Sequence, residues 1–251
     1  MKNRQKESKR PRRNVPIVIV EGASDELALG PALVELYNRL GSPDPVFCTI
    51  HGDITTREFK DRKDIEDKFY KLIFKDFFRE NKLFAKDIAE IVQIVDTDGA
   101  YIPEEAYKEN CKTDKPIYNK NGIVCKSKKE LLNTHKIKCN NLDILSSLTE
   151  MTVERKIIPY HIFYFSTNLD HFLHNDANIK DSLKEDQAFN FSDKYDGNVK
   201  GFVDYFLNND YSNWSSYEES WEYIKKGLNS LSRHTNLNLL INELWEEGNS
   251  Q

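Results

Sequence analysis

The sequence contains few cysteines: four in 251 residues, and no two of them form a C-x-x-C pair. Closely spaced cysteine pairs are typical of structural zinc sites, and many cysteines in a short chain are typical of disulfide frameworks. Neither pattern is present, so we expect reduced thiols, as in the cytosol. The four residues are Cys48, Cys111, Cys125 and Cys139.

Long apolar runs are also missing: none approaches the roughly 20 residues that a membrane-spanning helix needs. The first residues lack the apolar segment of a signal peptide. We therefore expect a cytoplasmic protein with no membrane partner. A hydrophobic fraction of 39% together with 31% charged residues is typical of a soluble globular protein.

A net charge of −5 excludes an overall basic surface, but the basic residues are unevenly distributed. In the segment 1–13, seven side chains are basic and only Glu7 is acidic. Such a block is typical of a disordered tail, which we assign to residues 1–14, and also of an arm that binds nucleic-acid phosphates. In the second interpretation the nucleic-acid-binding residues are Lys9, Arg10, Arg12 and Arg13.

Apolar segments alternate with amphipathic ones over the first hundred residues. The patterns predict strands at 15–20, 45–50 and 88–96. They predict a helix over 27–41 and a long helix with a threonine cap over 55–82. This β-α-β-α-β order predicts an α/β fold with a parallel sheet flanked by helices.

The rest of the chain has a different character. Residues 100–155 are rich in Lys, Asn and Glu and are interpreted as a polar insertion with two helical stretches. Residues 156–166 predict an aromatic-rich fourth strand, and a helix opens directly after it. Residues 176–251 carry apolar side chains at helical spacing and predict a helical C-terminal region.

Carboxylates follow two of the predicted strands: Glu21 the first, Asp96 and Asp98 the third. Because the carboxyl ends of parallel strands lie along one edge of a sheet, these side chains can meet there. Three converging carboxylates repel one another unless a cation neutralises them. Hard oxygen ligands suit Mg²⁺ or Mn²⁺. The sequence therefore predicts a divalent-cation site at this edge.

Two segments, "IVIVEGASDEL" and "IVQIVDTDG", resemble the signatures of the Toprim domain, a strand ending in Glu-Gly followed by a strand ending in Asp-x-Asp. This domain occurs in topoisomerases, primases, OLD-family nucleases and small bacterial defence nucleases. The resemblance covers residues 15–175 and implies a Toprim-like domain over that range, with the polar insertion at about 100–155 inside it.

The Glu-Gly-x-x-Asp form, with Asp25, looks most like the OLD-type and RloB-like branches. The segment "YHIFYFSTNLDHFLHN" is similar to a strand-Ser-Asn-x-x-acid-helix segment of RloB-like proteins, in which Ser166 and Asp170 match. Asp25 has a second interpretation, since with Ser24 it could cap the following helix. The metal ligands that the resemblance implies are Glu21, Asp25, Asp96, Asp98, Ser166 and Asp170.

The activity that the resemblance implies is Mg²⁺-dependent cleavage of nucleic acid, DNA or RNA, by the toxic effector of an abortive-infection system against phage. The catalytic residues would be the carboxylates Glu21, Asp25, Asp96 and Asp98. OLD-type nucleases also use a later lysine, for which Lys194 and Lys200 are the candidates and Lys200 is the choice. The chain departs from OLD proteins in having no P-loop motif, so an ATPase sensor would be a separate subunit. A homodimer is left open.

Two other functions fit part of this pattern. "IVDTDG" also resembles the first motif of haloacid-dehalogenase-type phosphatases, with Asp96 as nucleophile and Asp98 as acid/base, although Ala100 replaces their usual threonine. That family needs a further strand with an acidic pair after Ser166, and it gives Glu21 no role. The non-enzymatic alternative is a Toprim-fold or receiver-like regulatory partner of a separate ATPase.

Overall fold

The computed structural model describes residues 12–50 and 53–250, and its main sheet has five strands in the order β2-β1-β3-β8-β7. Strands β1, β2, β3 and β8 are mutually parallel, and β7 pairs antiparallel with β8. A small second sheet has the order β4-β6-β5. The strands are β1 (Val15–Val20), β2 (Val46–Thr49), β3 (Ile88–Asp96), β4 (Tyr107–Glu109), β5 (Ile117–Asn119), β6 (Gly122–Cys125), β7 (Glu150–Val153) and β8 (Lys156–Phe165).

Helices cover both faces of the main sheet, and most of the C-terminal region is helical, as predicted. None of the helices among the described residues is both long enough and apolar enough to cross a membrane. They are α1 (Ala23–Arg39), α2 (Arg62–Phe69), α3 (Lys75–Glu80), α4 (Lys128–Ser146), α5 (Leu169–His174), α6 (Asp181–Lys194), α7 (Val199–Leu207), α8 (Tyr217–Ile224) and α9 (Leu237–Asn249).

The strand pattern explains the two-layer core. All six residues of β1 are buried, and their side chains alternate between the faces. Ile17 and Ile19 join the core under α2, α3, α4 and α8, whereas Val18 and Val20 join the core under α1, α7 and α9. A strand that is buried on both faces has apolar side chains at successive positions, so its position can be predicted from a continuous apolar run in the sequence.

The structure corrects two expectations about local structure. The predicted helix over 55–82 begins only at Arg62, where the Asp61 side chain accepts the Asp64 N–H at 2.9 Å and caps it. A π-helical segment, Tyr70–Phe74, then joins α2 to α3. The segment 100–155 is more than a polar excursion, since it forms the small sheet and α4 and supplies the edge strand β7.

The turn after β3 continues the pairing with β8. The backbone N–H of Asp98 donates to the carbonyl of Thr167 at 2.9 Å. Asp98 and Gly99 both adopt left-handed backbone conformations, with φ of 52° and 66°. A non-glycine residue in this region is uncommon and costs energy, and such residues are concentrated at functional sites.

Candidate active site

The acidic residues that follow β1 and β3 meet at the carboxyl edge of the sheet, together with acids from other segments. Burial raises the pKa of Glu21 well above its usual value; the charge of Lys138 lowers it, and the nearby charges of Asp53, Asp96 and Asp98 raise it. We call Glu21, Asp53, Asp96 and Asp98 the acidic cluster. The cluster brings together the three carboxylates that the strand pattern predicted and one that it did not.

Glu21 contributes an oxygen with no protein partner. Its Oε1 is buried, and no side chain or backbone group among the described residues hydrogen-bonds to it. A buried, unpaired carboxylate oxygen costs several kcal/mol of solvation unless the group is protonated or binds a cation. This oxygen therefore points to a ligand.

Asp96 is held by the backbone that follows β8. Its Oδ1 accepts the N–H of Leu169 at 3.0 Å. Burial, followed by the charges of Asp25 and Asp98, raises the pKa of Asp96 well above its usual value. Glu21 and Asp96 thus both favour the protonated form unless additional positive charge is supplied.

Lys138 contacts the acidic cluster, and the sequence interpretation did not include it among the site residues. It projects from α4 with a fully buried side chain, and its Nζ lies 2.7 Å from Asp53 Oδ2 and 2.5 Å from Asp98 Oδ2. Burial opposes its charge, but the neighbouring carboxylates, led by Asp98 and Glu21, outweigh burial and raise its pKa. Lys138 is therefore an internal cation of the cluster.

Asp53, which lies just beyond the predicted strand 45–50, was also missed. It caps a short 3₁₀ turn, where its Oδ1 accepts the backbone N–H of Thr55 at 2.7 Å. Burial would raise its pKa, but the ion pair with Lys138 and the hydrogen bonds from Thr55 lower it. Asp53 is therefore ionised at neutral pH.

Asp25 and Asp170 lie beside the cluster and face a second lysine. Asp25 Oδ2 accepts the N–H of Gly22 at 3.0 Å, so it caps α1, as one interpretation predicted. It is also close enough to Asp96 to raise the pKa of that acid. Asp170 Oδ2 forms an ion pair with Lys184 Nζ at 2.9 Å. Asp25 therefore caps α1, and its role as a metal ligand stays a prediction.

Two predicted site residues have other partners. The Ser166 hydroxyl donates to the carbonyl of Ser232, and it accepts the backbone N–H of His234 at 3.0 Å. These two bonds hold the C-terminal segment against the end of β8. Lys200 is exposed on α7 and pairs with Asp204 at 2.7 Å. The lysines that contact the carboxylates are Lys138 and Lys184 instead.

The basic arm lies partly outside the described residues, which include Arg12 and Arg13 but neither Lys9 nor Arg10. Arg13 is exposed and precedes β1, so it lies at the amino edge of the sheet. The acidic cluster lies at the opposite end of that six-residue strand, about 20 Å away at the usual rise per residue. A role for Arg12 and Arg13 in binding nucleic acid stays a prediction.

The cluster opens into a cleft of about 490 Å³ that lies between the segments 115–118 and 177–184. Asp96 and Asp98 lie at its base, and Tyr118 Oη donates to Asp98 Oδ1 at 3.2 Å. We call it the lysine-lined cleft, because its walls carry Lys115, Lys180 and Lys184. Acids at the base and ammonium groups on the walls suit a phosphate ester that approaches a bound cation.

Two contacts bridge the walls of this cleft. Tyr118 and Asn178 exchange two hydrogen bonds, from the Tyr118 N–H to Asn178 Oδ1 at 2.9 Å and from Asn178 Nδ2 to the Tyr118 carbonyl at 2.8 Å. Lys115 forms an ion pair with Asp181, and both side chains are exposed. The small sheet thus holds one wall of the cleft in place from outside the main sheet.

The side chains of the described residues do not form a complete metal-coordination site. Across residues 12–50 and 53–250, no group of three or more His, Cys, Asp and Glu side chains has the arrangement of a metal site. Glu21 and Asp96 nevertheless fit a divalent cation, since both are oxygen donors with raised pKa values and Glu21 Oε1 has no other partner.

The environment of Asp25 predicts a measurable pH dependence. Burial raises the pKa of Asp25 to about 6, so the folded protein holds this proton more tightly than the unfolded chain does. The stability that this proton confers is present near pH 4 to 5 and is lost as the pH rises through 6. Asparagine at position 25 does not titrate. We therefore expect Asp25→Asn to gain about 1–2 kcal/mol relative to wild type between pH 5 and pH 8.

Urea unfolding of both proteins at the two pH values, in EDTA, measures this difference. The comparison cancels the contributions of the histidines, whose lowered pKa values act in the opposite direction. Asp204→Asn, which removes a half-exposed carboxylate, is the control. A wild-type-minus-variant difference that is equal at both pH values would contradict the burial argument.

Comparison with protein-family models, with curated proteins and with solved structures gives no match to this chain. The likeness of its motifs to Toprim proteins therefore stays a resemblance between short segments. A functional conclusion has to rest on the acidic cluster and on the cleft beside it.

Proposed function

We propose that this protein is a Mg²⁺-dependent nuclease with a Toprim-like core. The observation that carries the proposal is the buried, unpartnered Oε1 of Glu21, in an acidic cluster that also includes Asp96 and Asp98. It lies at the carboxyl edge of a parallel sheet, where ligand sites of α/β proteins are found. The resemblance of the motifs around these residues supports the same assignment.

Glu21, Asp96 and Asp98 would hold the cation, and Mn²⁺ would also suit these oxygens. When bound, a divalent cation supplies Lewis acidity and charge neutralisation at the scissile phosphate. Lys138 holds the Asp98 carboxylate in a fixed orientation, and Leu169 N–H does the same for Asp96. Fixed ligands lower the cost of organising the site when substrate arrives.

The lysines of the cleft would contact the substrate backbone. Lys115 and Lys180 are exposed, and Lys184 is within ion-pair distance of Asp170 at the cleft wall. Ammonium groups bind nucleic-acid phosphates without reading the sequence. A role as the toxic effector of an anti-phage system, in the cytoplasm and beside a separate ATPase sensor, rests on the motif resemblance.

The experiment is incubation of the purified protein with plasmid DNA, with total tRNA and with a phosphate monoester, each in Mg²⁺ or in EDTA. We expect strand cleavage of at least one nucleic acid in Mg²⁺ and none in EDTA. Release of phosphate from the monoester without strand cleavage would favour the phosphatase. Absence of both reactions would favour the non-catalytic partner.

The phosphatase has less support. It requires a further strand with an acidic pair after Ser166, and residues 166–250, all described, form helices and no further strand of a sheet. It also leaves the buried Glu21 carboxylate without a function. The nuclease assignment uses both Glu21 and Asp96.

A further inference from the structure

We propose that Lys138 occupies the position of a second cation, so that the acidic cluster binds one divalent ion per chain. This inference rests on the proposed function. Two-metal phosphoryl-transfer sites hold their ions about 3.5–4 Å apart, bridged by shared carboxylates. Here an ammonium group already bridges two carboxylates, Asp53 and Asp98, at 2.7 and 2.5 Å.

The placement of Lys138 is that of a fixed component. Its side chain is fully buried, and it projects from a 19-residue helix that packs on the 3₁₀ turn holding Asp53. Asp53 is itself fixed by Thr55. Buried lysines are rare unless they are paired, and here the two partners come from separate loops at the sheet edge. The ammonium group therefore cannot withdraw to solvent without opening the helix packing.

The net charge does not decide between one ion and two. The four carboxylates of the cluster and Lys138 sum to −3, so one divalent ion would leave −1 and two would leave +1. The number of ions therefore depends on the space that the Lys138 ammonium group occupies between Asp53 and Asp98.

The coordination of Asp98 supports one ion. Its two oxygens already accept from Lys138 Nζ and from Tyr118 Oη, at 2.5 and 3.2 Å. A second ion between Asp53 and Asp98 would have to take the space of the ammonium group. Removing the ammonium group should therefore create a site for an ion that the wild type does not bind.

The experiment is a titration of the full chain with Mn²⁺. Calorimetry and the electron paramagnetic resonance signal of free Mn²⁺ measure how many ions bind per chain. We expect one ion per wild-type chain and two per Lys138→Gln chain. Lys225→Gln is the matched control. Lys225 pairs with Asp143 of α4, the helix that carries Lys138, so this variant should bind one ion.

Two ions on the wild type, or one on a folded Lys138→Gln variant, would overturn the inference and leave the proposed nuclease standing. No ion on the wild type would overturn the proposed function as well. Lys138→Gln could fold only when Mn²⁺ is present, and a thermal transition that appears on adding the ion would detect this. That result would show that the ion replaces the lysine as proposed. If the variant never folds, the wild-type stoichiometry decides alone.

Discussion

Asp96→Asn is expected to lower Mg²⁺-dependent strand cleavage about a hundredfold or more and to leave the fold intact. A ligand that helps to hold the cation contributes several kcal/mol of charge stabilisation, and each 1.4 kcal/mol changes the rate tenfold. The asparagine oxygen can still accept the N–H of Leu169. Because the pKa of Asp96 is raised by burial and by like charges, removing its charge should keep or raise the thermal stability.

Cleavage rates and thermal denaturation curves of the same preparations separate these effects. Asp204→Asn removes a half-exposed carboxylate on α7 and should match wild type in both measurements. An Asp96→Asn protein with wild-type cleavage would show that this carboxylate is not needed. A loss of cleavage that only parallels a loss of folding would assign Asp96 a structural role.

Lys138→Met is expected to destabilise the metal-free protein by about 3–5 kcal/mol, because it leaves two carboxylates of the cluster without their buried partner. Asp53 and Asp98 both contact the Lys138 ammonium, and both are close to Glu21. A methionine side chain fits the space of the lysine stem but supplies no charge. The added repulsion among the acids should therefore appear as lost stability.

Urea unfolding in EDTA measures this loss. Lys225→Met breaks an ion pair that is partly exposed and should cost less than about 1 kcal/mol. A Lys138→Met protein as stable as this control would show that the buried ion pairs are not needed to neutralise the cluster.

The meeting of Glu21 with Asp96 could be predicted from the sequence, because it depends on a general property of parallel sheets. Glu21 follows the continuous apolar run of β1, and Asp96 ends the mostly apolar and mostly buried β3; such strands are buried on both faces. Once β1 and β3 are parallel neighbours, their carboxyl ends lie at one edge. The α/β architecture and the helical C-terminal region followed from the same periodic patterns.

Lys138 and Asp53 could not be predicted in this way, because their roles depend on contacts between distant segments. Lys138 lies 85 residues from Asp53 and 40 from Asp98. A local signal did exist: polar residues interrupt the buried stripe of α4 at His135 and Lys138, at helical spacing with Leu142. A lysine on a buried stripe needs a charged partner, so this pattern indicates an ion pair at that face.

The lysine predicted from family resemblance, Lys200, was not placed at the acidic cluster. Lys200 was chosen for its position late in the sequence, and no periodic pattern ties it to the sheet edge. The structure pairs it with Asp204, four residues along α7. A residue's order in the chain does not determine its distance from the site when the connection runs through several helices.

The most direct test of the nuclease assignment is the cleavage rate of Glu21→Gln in saturating Mg²⁺. Glutamine keeps the size of the side chain and removes the charge of the buried oxygen that has no protein partner. We predict a folded protein whose strand cleavage is lost, with Mn²⁺ binding weakened in parallel. Wild-type cleavage by this variant would contradict the account, since Glu21 would then have no part in the reaction.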